Sequence, residues 1–214
     1  MERFIIRKTT RNIKLKKEKL SSDKTIESEV MLNINQLEEE DYESETEEQE
    51  PIFVYTDGAC TNNGKSNARA GFGVYFGKDD PRNVSESYNG PQTNNVAELL
   101  AIIKALSILR QEIEDGEKIV IYSDSTYSIR CCTDYGEKME KKNWMKKKGV
   151  EIPNAKIVKV AYGFCKGRKN IVFHHIDAHT GLQDRHSLGN ENADRLANLA
   201  IGQTHCPYQT KQKK

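Results

Sequence analysis

The sequence lacks several features that would assign it to a common class of protein. It has no apolar stretch long enough to span a membrane, and its first residues contain no signal-peptide hydrophobic region. Its five cysteines are odd in number and include no CxxC pair, which favours free thiols over a disulfide framework. We therefore expect an intracellular protein in a reducing compartment, either cytoplasm or nucleus, with an organelle left open.

Basic side chains are absent from residues 25–51, which carry eleven acidic ones, whereas residues 1–24 carry nine basic side chains and three acidic ones. The acidic stretch has too few apolar residues to offset the entropy that a chain loses when it becomes ordered. We therefore predict a disordered tail over residues 1–50, basic and then acidic, a folded domain over 51–203, and a flexible basic tail over 204–214. The domain is mildly basic, which suits a polyanionic partner.

The spacing of apolar residues in this domain predicts an α/β fold with a mixed sheet. Predicted strands cover residues 52–57, 71–76, 84–89, 119–124 and 171–176, and predicted helices cover residues 94–110, 125–134, 153–163 and 191–201. The order is βββαβα, a basic excursion over residues 135–150, and then αβα. The short turns between the first three strands predict antiparallel pairing, and the later strand–helix–strand crossovers predict that functional groups lie at strand ends.

Four carboxylates fall at special points of this pattern. Asp57 and Asp124 end apolar runs predicted to be strands, and Glu98 and Asp194 lie near the start of predicted helices. Carboxylates repel one another at close range, so they cluster only where a cation holds them. Oxygen ligands alone favour Mg²⁺ or Mn²⁺ over zinc. Two such ions can activate a water molecule and stabilise a leaving alkoxide, which is what phosphodiester hydrolysis requires.

The carboxylates belong to five short motifs that follow one another along the chain. The motifs are Tyr55–Cys60, Gln92–Glu98, Tyr122–Ser125, His179–Gly181 and Gly189–Ala197. Together they resemble type-1 ribonuclease H, in its free-standing cellular or viral form, over roughly residues 51–203. The resemblance implies a ribonuclease H-like fold, in which a five-stranded mixed sheet is flanked by helices. It also implies an endonuclease that cuts the RNA strand of RNA–DNA hybrids with two magnesium ions, leaving 5′-phosphate and 3′-hydroxyl ends.

The resemblance gives each of the four carboxylates a role as a metal ligand. In the family, the residue that matches Asp57 bridges both ions. The residue that matches Asp194 helps to hold the ion that activates water. Those that match Glu98 and Asp124 hold the ion near the leaving oxygen. Mg²⁺ is the implied cofactor, at two ions per site, and Mn²⁺ is an alternative.

A fifth catalytic residue is implied at His179, which matches a histidine that assists proton transfer and product release in the family. Fifteen positions separate His179 from Asp194, more than the family usually has, and residues 182–187 look like an inserted stretch. His186, within this stretch, is the alternative candidate. A loop position suits His179 because a group that moves protons and products must itself move.

Three residues match the surface that recognises RNA in the family, namely Cys60, Asn63 and Asn95. In the family this surface contacts 2′-hydroxyl groups, which are what distinguish RNA from DNA. The resemblance therefore implies a substrate with several consecutive ribonucleotides.

Other residues match contacts to the DNA strand. Thr93 and Asn154 match residues that hold a DNA phosphate, and Pro91 stands where an arginine is common. Tyr135 and Met139 fall at positions of a DNA-binding channel. Trp144 lies among lysines that resemble the family's basic protrusion, and lysines bind phosphates without regard to base sequence.

Two other functions remain open from the sequence. The chain could be a catalytically weak module that binds hybrids on the same fold, or a nuclease domain derived from a reverse transcriptase. The presence of all four carboxylates favours an active nuclease. We expect an RNA–DNA hybrid as partner, no membrane association, and a monomer.

Overall fold

A computed structural model of the chain describes residues 50–203, apart from the side chain of Lys148. The tails predicted over residues 1–50 and 204–214 lie outside the described residues, except for Glu50. The strands are β1 (Ile52–Thr61), β2 (Arg69–Tyr75), β3 (Val84–Tyr88), β4 (Ile119–Ser123) and β5 (Ile171–His175). The helices are α1 (Asn94–Ile108), α2 (Arg110–Glu114), α3 (Thr126–Cys132), α4 (Asp134–Glu140), α5 (Ala155–Cys165) and α6 (Arg185–Ala200), with a 3₁₀ turn at Lys147–Gly149.

The strands form one five-stranded mixed sheet in the order β3-β2-β1-β4-β5. Strands β1, β2 and β3 pair antiparallel, whereas β4 runs parallel to both β1 and β5. The predicted α/β class and mixed sheet are thus confirmed. The central position of β1 matters for the site, since it brings Asp57 to the middle of the sheet.

One face of the sheet carries the main hydrophobic core. Helix α1 packs there with α3 and α5 over the inward-facing aliphatic side chains. The largest fully buried members include Leu99, Ile102, Leu106, Leu109 and Ile121. Burying side chains of this size contributes about 1.5–3 kcal/mol each, so this face supplies much of the stability that holds the site in place.

Helix α6 covers the opposite face of the sheet and lies very close to β2. A β-carbon added at Gly73 would lie 2.2 Å from the Ala193 carbonyl oxygen, and one added at Gly71 would lie 2.7 Å from the Ala200 β-carbon. Larger residues would therefore push the helix off the strand. This close approach carries Asp194, on α6, towards Asp57 on β1.

Helix α6 begins at Arg185, earlier than the predicted start at residue 191. The Asp184 side chain caps it by accepting hydrogen bonds from the backbone N–H groups of His186 (2.9 Å) and Ser187 (3.1 Å). The Ser187 hydroxyl donates to the other carboxylate oxygen of Asp184 at 2.7 Å. Half of the apparent insertion, residues 185–187, is therefore extra helix, because an aspartate N-cap satisfies the free N–H groups of the first turn.

The added turn of α6 rests on an aromatic cluster formed by Phe53, Tyr55, Tyr122 and His186. The His186 ring stacks on Tyr122 with centroids 4.2 Å apart. Its two nitrogens lie 3.1 Å from the Tyr55 hydroxyl and 3.3 Å from the Tyr122 hydroxyl. The Arg185 guanidinium lies 4.5 Å from the centroid of the Phe53 ring. These contacts fix the start of α6 on the sheet.

The remaining general features concern membranes and cysteines. Among residues 50–203, no helix is both long and apolar enough to cross a lipid bilayer. Within the same range Cys60, Cys131, Cys132 and Cys165 are free thiols. Cys131 and Cys132 are buried.

Candidate active site

Asp57 lies at the centre of the site. It is not at a strand end, as the sequence predicted, but inside the ten-residue strand β1. The parallel pairing of β1 with β4 ends at Thr56↔Ser123, whereas the antiparallel pairing with β2 continues to Thr61. The first residue after β4, Asp124, therefore comes beside Asp57. The Asp57 side chain is only 6% exposed, and its Oδ1 accepts a 2.7 Å hydrogen bond from the Gly58 N–H.

Glu98 reaches the same point from α1. The Thr93 hydroxyl caps this helix by accepting a hydrogen bond from the Val96 N–H at 3.3 Å, which places Glu98 in the second turn. A β-carbon at Gly58 would lie 2.3 Å from the Glu98 nitrogen, so the glycine after Asp57 lets the helix approach β1. Glu98 is 5% exposed, and its Oε1 accepts a 3.4 Å hydrogen bond from the Asn94 amide.

Asp57, Glu98 and Asp124 form a tight acidic cluster. One carboxylate oxygen from each lies within 4.8 Å of the others. Burial raises the pKa of Asp57 well above its usual range, and repulsion from Glu98, Asp124 and Asp194 raises that pKa further. Burial and repulsion from Asp124 likewise raise the pKa of Glu98. The cluster therefore resists ionisation of all its members unless positive charge enters it.

The residues of the cluster fit a divalent cation. Glu98 Oε2 is buried and has no hydrogen-bond partner among the described residues. A buried carboxylate oxygen without a donor is costly, so an orphaned oxygen among converging carboxylates points to a ligand that would satisfy it. The donor set is composed of oxygen atoms, which suits Mg²⁺ or Mn²⁺.

Asp194 lines the same cavity but stands outside the tight cluster of three. The cavity has a volume of about 720 Å³ and is open to solvent. Asp194 projects from the third turn of α6 and not from the start of the helix, where the sequence placed it. The amide of Asn198 donates a 2.9 Å hydrogen bond to Asp194 Oδ1. The structure thus brings all four predicted carboxylates to one cavity.

His179 also lines this cavity, on the loop that precedes α6. Its backbone is left-handed, with φ of 54°. Burial raises the pKa of Asp124, and the charge of the nearby His179 opposes that increase. His186, the alternative suggested by the sequence, belongs to the aromatic cluster instead. The apparent insertion does not remove His179 from the site, because it extends α6.

Of the residues matched to RNA contacts, one lines the cavity and the other two directly follow lining residues in the sequence. Cys60 lies in its wall, and its thiol is 3.6 Å from the Gln92 carbonyl oxygen. The exposed Asn63 accepts a 3.4 Å hydrogen bond from the Asn94 N–H, which links the β1–β2 loop to the start of α1. Asn95 is exposed on the first turn of α1. The two asparagines are thus exposed near the cavity, whereas Cys60 is half-buried in its wall.

A second groove, of about 410 Å³, lies beside α3 and includes Tyr127, Tyr135 and Lys146. Burial raises the pKa of Tyr127 to about 12, so its hydroxyl stays protonated. Asn154 donates a 3.3 Å hydrogen bond to that hydroxyl and begins α5 in a left-handed conformation. Tyr135 therefore faces a groove, as a strand-binding residue would.

Two predicted substrate residues occupy other surroundings. Met139 is only 7% exposed and belongs to the hydrophobic core, so it is a packing residue in this structure. Trp144 packs edge-on against Tyr162, with centroids 6.0 Å apart, and anchors the lysine-rich segment to α5. Tyr135 and Met139 lie four positions apart on α4 and so share one face of the helix, where Met139 is part of the hydrophobic core and the partly buried Tyr135 packs against it.

Three asparagines beside the carboxylates were not among the site residues predicted from the sequence. Asn94 and Asn198 hydrogen-bond Glu98 and Asp194, each from a position four residues away on the same helix. Asn190, also on α6, is buried, and its side chain lowers the pKa of Asp124 in opposition to the effect of burial. The four-residue spacing between an amide and a carboxylate was a signal available in the sequence.

Comparisons with known proteins agree with this geometry. The RNase H family profile matches residues 49–201. The chain is 37% identical to ribonuclease H1 of Mus musculus over 148 residues, which are 69% of this chain and 49% of that protein. It is 34% identical to ribonuclease H of Hahella chejuensis over 154 residues, which are 70% of this chain and 93% of that protein. The chain thus spans about half the length of the mouse protein.

Two solved structures share the fold at low sequence identity. The PFV RNase H domain has a TM-score of 0.54 and 19% identity, covering 70% of this chain and 93% of that one. The foamy viral protease-reverse transcriptase in complex with RNA/DNA hybrid has a TM-score of 0.57 and 18% identity, covering 70% of this chain and 20% of that one. The fold, the acidic cluster and the family profile agree, and the chain belongs to the RNase H family.

Proposed function

We propose that this protein is an endonuclease that hydrolyses the RNA strand of RNA–DNA hybrids. The observation that carries the proposal is the buried cluster of Asp57, Glu98 and Asp124, with an orphaned carboxylate oxygen on Glu98. Asp194 and His179 line the same cavity. Family membership supports the reaction, since the curated relatives from Mus musculus and Hahella chejuensis are named ribonucleases H.

Asp57, Glu98, Asp124 and Asp194 would hold two Mg²⁺ ions, and Mn²⁺ would substitute. The bound ions would supply an activated water molecule and stabilisation of the leaving oxygen. Asp57 would serve both ions, because its carboxylate interacts with those of Glu98, Asp124 and Asp194. The rigid strand β1 and the packed helix α1 hold Asp57 and Glu98 in place before substrate arrives, which reduces the reorganisation needed for reaction.

His179 would assist proton transfer at the leaving 3′ oxygen and the release of product. It lies on a loop at the cavity edge, which suits a group that changes position during turnover. The proposed products carry 5′-phosphate and 3′-hydroxyl ends. Analysis of end-labelled fragments tests this point directly.

The proposed substrate is a hybrid with several consecutive ribonucleotides. The exposed Asn63 and Asn95, together with Cys60, offer contacts to 2′-hydroxyl groups at one end of the cavity. The groove beside Tyr135 and Lys146 would receive the DNA strand. The foamy viral protein that shares the fold is itself in complex with RNA/DNA hybrid.

A cleavage assay with a labelled RNA–DNA hybrid and Mg²⁺ tests the function. We expect cutting of the RNA strand by the natural sequence and a near-complete loss with Asp124→Asn. Asp115→Asn is a matched control, because Asp115 is exposed after α2 and hydrogen-bonds only Gln111 among the described side chains. Binding without cleavage would favour a hybrid-binding module, and cleavage that persists in Asp124→Asn would refute the site.

A second assay tests the substrate class. A duplex with one embedded ribonucleotide is compared with a full hybrid under the same conditions. We expect efficient cleavage of the full hybrid alone, and equal cleavage of both would contradict the proposed role of several 2′-hydroxyl contacts.

We also propose that the protein acts as a monomer in a reducing compartment. The four carboxylates and His179 come from a single chain, so the site needs no second copy. The four cysteines within residues 50–203 are thiols. Size-exclusion chromatography with light scattering tests the first point, and localisation of the tagged protein tests the second.

A further inference from the structure

We propose that Asn198 is a positioning residue that sets the carboxylate of Asp194 for cation binding. This inference rests on the proposed function, because it assigns the orientation of one of the four metal ligands. It concerns a residue outside the five motifs that carry the family resemblance.

Among the described residues, the side chain of Asn198 donates hydrogen bonds to Asp194 alone. The two residues lie four positions apart on α6, so their side chains share one face of the helix. The Asn198 Nδ2 lies 2.9 Å from Asp194 Oδ1 and 2.9 Å from the Asp194 carbonyl oxygen. An amide nitrogen carries two hydrogens, so it can serve both acceptors at once. The pair of bonds fixes the Asn198 amide relative to the carboxylate.

Burial strengthens this arrangement. Asn198 is only 6% exposed and forms part of the cavity wall beside Asp194. A hydrogen bond to a charged group is stronger than one between neutral groups, and stronger still away from water. The bond therefore limits rotation of the Asp194 carboxylate, which is itself only half-buried.

The two carboxylate oxygens of Asp194 would therefore have different partners. Asn198 holds Oδ1, which leaves Oδ2 for a cation. Asp194 stands outside the tight cluster of Asp57, Glu98 and Asp124, so its orientation decides whether its free oxygen can join a shared site. Removing a hydrogen-bond partner of a metal ligand typically lowers metal affinity or activity by about 10–100-fold.

The same helix supplies a matched control. Asn192 also donates an amide hydrogen to a backbone carbonyl four residues earlier, that of Leu188 at 2.8 Å. Its side chain touches Arg195 and none of the four carboxylates. A general effect of asparagine on α6 would therefore appear at both positions, whereas positioning of a metal ligand would appear at Asn198 alone.

The experiment compares Asn198→Leu with Asn192→Leu. Binding of Mn²⁺ to each protein, without nucleic acid, is measured by calorimetry and by the loss of the free-ion paramagnetic resonance signal. We expect Asn198→Leu to weaken Mn²⁺ binding about tenfold. We expect it also to raise the Mg²⁺ concentration needed for half-maximal cleavage, with unchanged affinity for the hybrid. Asn192→Leu should leave the Mn²⁺ affinity and the Mg²⁺ dependence as they are.

The outcomes separate this inference from the proposed function. If the natural sequence cleaves hybrid and Asn198→Leu binds Mn²⁺ equally well, the positioning role is wrong and the function stands. If Mn²⁺ binding falls in Asn198→Leu but the natural sequence cuts no hybrid, the positioning role stands and the function is wrong. Asn198→Ala, which removes the amide without adding branched carbons, gives the same comparison if Asn198→Leu does not fold.

Discussion

Tyr55 and Asp57 lie two residues apart on the same face of β1, beneath the same helix, yet their surroundings are opposite. Tyr55 stacks on Tyr122 at 5.3 Å and its hydroxyl lies 3.1 Å from the His186 ring. Asp57 faces Glu98 and Asp124, whose charges repel its own. The aromatic cluster satisfies its polar atoms internally, whereas the acidic cluster leaves a buried oxygen without a donor.

The difference shows how one strand can serve both stability and function. Contacts around Tyr55 stabilise the fold and secure the start of α6. The same helix then carries Asp194 to the cavity, where the carboxylates lower stability in the absence of a cation. Such an unfavourable arrangement of charges persists only where the packing around it determines the structure. Substitutions in the acidic site and in the aromatic cluster should therefore separate an effect on stability from an effect on cleavage.

The largest expected effect follows from Asp57→Asn. Loss of this proposed metal ligand should reduce cleavage about 10³-fold or more, since metal-ion catalysis contributes several kcal/mol. The metal-free protein should become more stable by about 1 kcal/mol or more, because a buried charge is removed while Oδ1 can still accept from Gly58. Hybrid cleavage and thermal unfolding in EDTA measure the two effects. A loss of stability would contradict the idea that the acidic cluster is repulsive.

His179→Ala should give the next largest effect, confined to cleavage. General acid–base groups contribute about 10²–10⁴-fold, and we expect a decrease of about 10²-fold. The side chain is exposed on a loop, so the melting temperature should stay nearly constant. Single-turnover cleavage and thermal unfolding measure this pair of outcomes. An equal loss of cleavage in His186→Ala would mean that the two histidines do not have separate roles.

His186→Ala should show the opposite pattern, with lower stability and little change in cleavage where the protein is folded. Loss of the stack on Tyr122 and of hydrogen bonds to two hydroxyls should cost about 2 kcal/mol. The melting temperature should fall by about 4–8 °C. His174→Ala is the comparison, since His174 also stacks on Tyr122, at 5.3 Å, but is exposed and should matter less.

The smallest effect should be a pH dependence of stability in the metal-free protein. The pKa values of Asp57, Glu98 and Asp124 are raised by burial, so the folded state retains protons that the unfolded state releases above about pH 4. Stability should therefore fall as pH rises from about 5 through these raised pKa values. We expect a shift of a few degrees in melting temperature.

Two controls sharpen the pH measurement. Mg²⁺ should flatten the dependence, because an ion that binds the folded state offsets the repulsion. Asp57→Asn should flatten it as well, since one of the repelling groups is gone. An unchanged slope in both cases would assign the pH dependence to groups outside the acidic cluster.

Much of the site could be predicted because its chemistry is local in the sequence. Apolar runs predict β1 and β4, and the carboxylates that follow or interrupt them are identifiable from residue type alone. The predicted bounds of β1 and α6 were wrong where contacts between residues far apart in the sequence decide the structure. Pairing with β2 extends β1 beyond Asp57, and the Asp184 cap together with the aromatic cluster draws residues 185–190 into α6. The burial of Met139 was not predictable from the sequence, because it depends on how α4 packs against the core.

The sequence by itself determined most of the strands and helices, the identity of the carboxylates at the site and the family of the chain. Periodicity and residue type depend on neighbours within a few positions, so these features need no knowledge of the fold. Only the tertiary structure decided that Asp124 meets Asp57, that Glu98 keeps a buried oxygen without a donor, and that Asn198 holds Asp194. Strand register and helix docking decide these features, because they join residues that the chain keeps far apart.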